Sequence, residues 1–214
     1  MYIPTANSET RLPVLRQMMA AHPLAAVVTL GQDGLIATHL PLVLEDDGSE
    51  FGVLKGHVSR ANPQWRSPAP DVEALAIFSG AQHYISPNWY PSKLEDGKEV
   101  PTWNYVVVHA YGSLRVVEDA GWILAHLNSL VDTHEAQFAA PWQVSDAPAG
   151  FIASQMKGIV GFEIPIRRLE GKWKMSQNRN EADRLGAIEG LSGLGTTESV
   201  AVAGLIDDAK PRDI

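Results

Sequence analysis

Residues able to do chemistry gather in a few short runs of the 214-residue chain. In "KGHVSRANPQW" (55–65), Lys55, His57, Ser59 and Arg60 crowd the end of an apolar strand, and a short helix is expected from about Ala61. A hydroxyl, a guanidinium and the free N–H groups of a helix start together make a site for an anion. Many ordinary strand-to-helix turns carry the same residue types. In "KWKMSQNRNEADR" (172–184), Lys174, Ser176, Gln177, Asn178 and Arg179 precede or open a helix. Two cations and several amide donors meet there, although a capped, solvated helix start is the commoner meaning of such a pattern.

A third run, "PTWNYVVVHAYGSLRV" (101–116), alternates like a strand. Alternate side chains of a strand share a face. Val106, Val108, Ala110, Leu114 and Val116 form one oily face, and Val107, His109, Tyr111, Ser113 and Arg115 form the other. The second face suits solvent, a subunit interface or a ligand wall. In "IVGFEIPIRRL" (159–169), Val160, Phe162, Ile164 and Ile166 form the apolar face. Pro165 cannot donate to a ladder, which puts an edge or a bulge there.

The seven histidines show no tight ligand spacing, and His134-Glu135 lacks the second histidine of a zinc-protease helix. No metal is expected. Nucleophile elbows and phosphate-binding loops of the Walker type are also absent, so no catalytic residue is assigned. Without cysteine there are no disulfides, thiolate sites or cysteine nucleophiles. The formal net charge of −8 disfavours a nucleic-acid surface. No apolar run approaches the roughly 18 residues of a membrane span. The first residues lack the zones of a signal peptide, which fits the cytoplasm.

The elements that must position these residues follow from periodicity. Strands are expected at 24–30, 35–44, 50–58, 73–79, 101–116 and 159–169, with "GQDG" turning the first into the second. Helices are expected at 8–21 (begun by Asn7 or Ser8), 118–132, 147–158, 178–191 (begun by Asn178 with Glu181, stopped near Gly190) and 197–209. The long loop 86–102 has the length of functional loops. Six strands joined mostly by short turns, with helices at the start and toward the end, favour an antiparallel barrel or sheet with packed helices. Residues 1–191 are expected to be one domain, with 192–214 a helical extension packed on it.

"MYIP", "THLP" (38–41), "GHVSRANPQW" (56–65), "HYISPNWY" (83–90), "VPTWNYVVVHAYG" (100–112), "VGFEI" (160–164) and "LEGKWKMSQNR" (169–179) together resemble the PaiB family of FMN-binding negative transcriptional regulators. The likeness runs in order from Met1 to about Leu191. It implies an α+β fold that is mainly β: a six-stranded antiparallel split β-barrel of the pyridoxamine-phosphate-oxidase kind, with peripheral and C-terminal helices. It also implies a homodimer with FMN at the subunit interface. Carried onto this chain, the flavin ring lies along Thr38, His39, Leu40 and Pro41. The phosphate lies at His57, Ser59 and Arg60. Trp103, Asn104, Lys174, Ser176, Gln177, Asn178 and Arg179 are further contacts. The oxidases' lysine after Ser-Arg is missing from "SRANP", and so is their Arg-rich C-terminal segment, which argues against pyridoxamine phosphate oxidation. The implied function is an FMN-binding regulator. The alternative is a flavin-dependent oxidoreductase acting on regulation indirectly. Direct DNA binding has no support in charge or motif.

Overall fold

The computed structural model describes residues 1–32, 34–66, 68–69 and 71–209. In chain order the strands are β1 (Ser8–Glu9), β2 (Leu24–Gly31), β3 (Gly34–Pro41), β4 (Val43–Glu45), β5 (Val53–Ser59), β6 (Ala74–Ile85), β7 (Thr102–Gly112), β8 (Arg115–Val117), β9 (Ile159–Pro165) and β10 (Arg168–Lys174). The helices are α1 (Leu12–Ala21), α2 (Lys93–Asp96), α3 (Ala120–Glu135), α4 (Ala149–Met156), α5 (Glu181–Leu194) and α6 (Thr197–Asp208). The α+β, antiparallel class expected from the sequence is the one observed. All six expected strands exist, but three are broken in two, at Leu42, at Ser113–Leu114 and at Ile166–Arg167. The two-residue β1 is additional.

Hydrogen bonding orders one sheet β1-β10-β7-β6-β2-β3 and the other β4-β5-β9-β8. The chain divides into two compact units, and α1, β6, β7 and β10 each have residues in both. The first unit holds Met1–Leu15, Ser79–Val108 and Glu170–Ile214, and the second holds Arg16–Phe78 and His109–Leu169.

In the second unit β2 and β3 form a hairpin in full register, from Leu24 against Pro41 to Gly31 against Gly34. Gly34 has φ 111°, a conformation that side chains with a Cβ avoid. Asp33 of the "GQDG" turn lies outside the described residues. β5 pairs with β9 from Val53–Pro165 to Ser59–Ile159. Their inward residues Leu54, Val58, Val160, Phe162 and Ile164 are buried, as are Val27 and Phe78. β9 ends at Pro165, where the missing N–H stops the ladder. The break at Ser113–Leu114 also resets the alternation: Val116, expected on the oily face, is exposed.

In the first unit β1 pairs with β10, Ser8 opposite Lys172. Val106 and Val108 are buried as their alternation requires. α5 and α6 form a pair locked by Arg184, which is buried and donates to the carbonyls of Ile206 and Ala209. Trp89 crosses α5 over Gly186 and Gly190, where a Cβ would lie 2.0 Å from the Trp89 carbonyl oxygen and 2.4 Å from its ring.

Helix ends differ from expectation in three places. The first helix begins at Leu12, because Ser8 and Glu9 are taken by pairing with β10. α5 is capped by Asn180, whose side chain accepts from the Asp183 N–H, in place of Asn178. It also passes through Gly190 and stops at Gly195, in the left-handed conformation at φ 65°. The turn expected as a helix from Ala61 is one 3₁₀ turn, Pro63–Trp65. The last five residues of the expected C-terminal extension, 210–214, lie outside the described residues. No described helix is long and apolar enough to cross a membrane.

Candidate functional site

The candidate residues fall into two groups, one in each unit. In the second unit the organiser of "SRANPQ" is Asn62. Its Nδ2 donates to Thr38 Oγ1 at 3.0 Å, its backbone N–H to the Ser59 carbonyl at 2.9 Å, and its Oδ1 accepts from the Gln64 N–H at 2.9 Å. Gln64, almost fully buried, donates to the carbonyls of Val27 and Ile36 and pins the turn to the β2–β3 hairpin. Thr38 and Ser59, twenty-odd residues apart in sequence, are brought together through this one amide. Ser59 is exposed, and its Oγ accepts from the Ala61 N–H, which leaves the hydroxyl proton free to donate. His39 is exposed, Pro41 half-buried, and Leu40 faces the core.

Arg60 is heavily engaged. Its Nη1 meets Glu118 at 2.7 Å, Nε donates to the Lys157 carbonyl at 3.0 Å and Nη2 to the Ile159 carbonyl at 3.2 Å. Two of the five guanidinium N–H groups stay uncommitted. The guanidinium is therefore held in place but partly neutralised.

His57 is not at the edge of a turn but inside a cluster. Its Nδ1 lies 3.1 Å from His126 Nε2. His126, on α3, is 2% exposed and stacks on Trp122, ring centres 5.3 Å apart at 22°. Trp122 Nε1 donates to Glu163 at 2.7 Å. Lys55 sits over the Trp122 ring and pairs with Glu45 at 2.6 Å. Trp122 can lie flat on β9 because residue 161 is glycine: a Cβ there would be 2.3 Å from the ring. Burial holds His126 down at about 4, with the nearby His57 and Lys55 adding to it, and burial lowers His57 as well. The buried Nδ1 of His126 has no partner. A bare lone pair there, with the proton on Nε2 donated to His57, avoids burying an unmet N–H. That assignment puts the His57 proton on its Nε2. His126 was missed in the sequence because a histidine on the apolar side of a helix has no local signature.

In the first unit the candidates surround the turn after β10. Ser176 has φ 57°, the one positive value among described residues other than glycine. Gln177 builds this turn: its Oε1 accepts from the Met175 N–H and its Nε2 donates to the Trp173 carbonyl. Asn104, 1% exposed, donates to Ser176 Oγ at 2.9 Å. Its Oδ1 has no hydrogen-bond partner; burial raises the Tyr90 pKa, while Arg179 and Ser176 beside the hydroxyl act to lower it. Lys174 donates to Thr102 Oγ1. Arg179 lies 4.5 Å from the centre of the Tyr90 ring and pairs with Glu99 at 2.6 Å. Trp103 is half-exposed beside Tyr84, and Asn178 is exposed. The cations here are thus partnered, while the buried Asn104 Oδ1 is not. Such orphaned atoms are uncommon and mark a place built to meet something polar. Tyr90, Glu99 and Thr102 all sit in the loop picked out by its length or at its end.

Among the described residues no cluster of three or more His, Asp or Glu side chains has metal-binding geometry.

Comparison with known proteins gives three findings. The family model described as "Putative FMN-binding domain" matches residues 1–168. "Protease synthase and sporulation protein PAI 2" of Bacillus subtilis is 32% identical over the whole of both chains, and "Uncharacterized protein AN0679" of Emericella nidulans is 33% identical over 96% of each. Among solved structures, the flavocytochrome Anf3 of Azotobacter vinelandii superposes with a TM-score of 0.55 at 14% identity, over 83% of this chain and 74% of its own. At that identity the likeness speaks for the fold.

Proposed function

Since the chain belongs to this FMN-binding domain family, we propose that it is a flavin-binding regulatory protein of the PaiB kind, a homodimer with FMN at the subunit seam. The observation that carries the reading is the Asn62 bracket. It ties Thr38 of the Thr38–Pro41 strand end to the Ser59 backbone in one fixed arrangement, with the Arg60 guanidinium anchored beside them. A flavin phosphate carries nearly two negative charges and binds best to donors already held in place. Ser59, the two uncommitted Arg60 N–H groups and the Nε2–H of His57 supply such donors. Thr38, His39 and Pro41 offer the wall for the ring, with Leu40 contributing backbone. FMN supplies redox-active ring chemistry when bound; the protein's part is to hold and orient it.

The first-unit group forms a second set of contacts. Trp103 presents a flat face, Asn104 and Ser176 neutral polar atoms, Gln177 the turn itself, and Lys174, Asn178 and Arg179 donors. Regulation by this protein proceeds without a tight DNA complex of its own, because no basic recognition helix accompanies the charge of −8. The alternative of a flavin-dependent oxidoreductase draws its support from the His57–His126 pair, a buried pair of titratable groups beside the proposed flavin site.

The test is titration of FMN into apo-protein, followed by flavin fluorescence. Wild type should bind saturably. Arg60→Ala should bind about ten- to a hundred-fold more weakly, the usual worth of a charged hydrogen bond. Asn104→Leu tests the first-unit set separately. No saturable binding by wild type ends the flavin reading; an unchanged Arg60→Ala removes only the phosphate assignment. Turnover of a reduced nicotinamide by the FMN-loaded protein would favour the oxidoreductase.

A further inference from the structure

A groove of about 950 Å³ lies between α3 and α4 in the second unit. Its volume is at the upper end of the range of small-molecule sites, roughly 300–1,000 Å³. One wall is the α3 face carrying Ala120, Gly121, Ile123 and Leu124, and the other is the α4 face carrying Ala149, Ile152, Ala153 and Met156. Val144, buried, belongs to the lining. The spacings i, i+3, i+4, i+7 on α4 are those of a helix stripe meant to be covered. Yet four of these eight wall residues are Ala or Gly, so the two helices leave the space between them unfilled.

All charge on the lining belongs to three residues: Arg60, Glu118 and Lys157. Arg60 and Glu118 neutralise each other at 2.7 Å. Lys157, the residue that ends α4, is exposed and has no acidic partner among the described residues. The remaining polar lining, Asn128 and Ser145, is neutral. The groove therefore combines apolar walls with a net charge of about +1. A protein partner is a poor match, because interface anchors are large aromatic or Arg side chains meeting pockets cut for them, whereas these walls are smooth and small.

We propose that this groove binds a long-chain carboxylate, its chain along the Ala- and Gly-lined walls and its carboxylate at Lys157. The site shares Arg60 with the proposed phosphate contacts but needs no flavin, and it provides a regulatory protein with a second ligand. An ammonium or alcohol head of the same length forfeits the Lys157 contact. Each methylene taken fully out of water strengthens binding by up to about fourfold.

The experiment is isothermal titration of the full chain with octanoate, decanoate and dodecanoate, and with dodecylammonium and dodecanol as controls of sign and charge. Dodecanoate should bind once per chain. Affinity should rise steeply along the series, and dodecylammonium should bind at least about tenfold more weakly. Ala153→Trp, at an exposed position, should fill the groove and abolish binding while leaving the thermal melt unchanged. Lys157→Glu should weaken dodecanoate by about tenfold or more and spare dodecanol. Absence of binding, or binding indifferent to Ala153→Trp, overturns the proposal. So does competition by FMN that persists in Arg60→Ala, which would give the groove to the flavin. Loss of dimer by Ala153→Trp in sedimentation would likewise overturn it, giving the groove to a second copy.

Discussion

Acid should loosen α3 before it reaches any carboxylate, and His126 is the reason. This histidine is held at about 4 in the folded protein against an ordinary value of 6.5. A lowered histidine pKa means that the unfolded chain binds more protons than the folded one between those values. Stability is therefore complete above pH 6.5 and is lost as pH falls from 6.5 toward 4. Below 4 both states are protonated and the loss stops growing. At about 1.4 kcal/mol per unit, the window is worth up to about 3 kcal/mol, a large share of a usual folding free energy of about 5–15 kcal/mol. For a chain of this size the melting temperature should fall by roughly 6–12 °C. The groups facing His126 set this: His57 and Lys55 oppose a second positive charge, Glu45 alone favours it, and burial dominates. His126→Gln keeps an amide donor for His57 Nδ1 and cannot titrate. Urea unfolding of the apo-protein at fixed concentration, at several pH values from 7.5 to 4.5, should show wild type losing about 2–3 kcal/mol more than the variant. The lowered carboxyls of Glu9, Asp47 and Asp96 contribute stability above their ordinary values, 4.5 for Glu9 and 3.8 for the two aspartates, and begin to lose it only there, at the foot of this window or beneath it. Parallel curves for the two proteins would refute the argument, as would a His126 ring resonance that titrates near 6.5.

Two further outcomes rest on the first unit. Gly186→Ala should lower stability by about 1–3 kcal/mol through the clash with the Trp89 carbonyl, although alanine is the better helix former by about 1 kcal/mol; a thermal melt with raised stability would contradict the packing. Ser176→Gly should be within about 1 kcal/mol of wild type, because relief of the left-handed backbone, about 1–2 kcal/mol, offsets loss of the Asn104 hydrogen bond, about 1 kcal/mol. Ser176→Val, which keeps the left-handed backbone, strains it further with a β-branched side chain and loses the Asn104 hydrogen bond, should cost at least about 1 kcal/mol, and equal melts for the two variants would refute it.

The elements were legible wherever a local rule decides. Val106 and Val108, Val160, Phe162 and Ile164 alternate in the sequence and are buried in the structure. Pro13, which has no N–H to give to a helix interior, sits in the first turn of α1, where none is needed. What escaped depends on partners distant in the chain. Ser8 and Glu9 look like a helix start until β10 takes them into a sheet. Asn62 and Gln64 lie inside a run singled out for Ser59 and Arg60, but their importance comes from Thr38, Val27 and Ile36. Arg60 was legible as a cation and not as one already facing Glu118. Trp122, His126 and Gly161 acquire meaning only when α3 lies on β9.

The pairing of Ser8 with Lys172 sets a timetable for the chain's birth. The first unit is assembled from three stretches, the last beginning at Glu170. With peptide synthesis at about 5–20 residues per second, β1 waits roughly eight to thirty seconds for β10 to be made. The second unit, complete by Leu169, has all its strands before then. Throughout that interval the nascent first unit exposes unpaired strand edges, the surfaces on which chains join one another. Yield from rapid overexpression should therefore be limited by events on the ribosome, and slowing synthesis or lowering temperature should recover more protein than any change made to the finished fold.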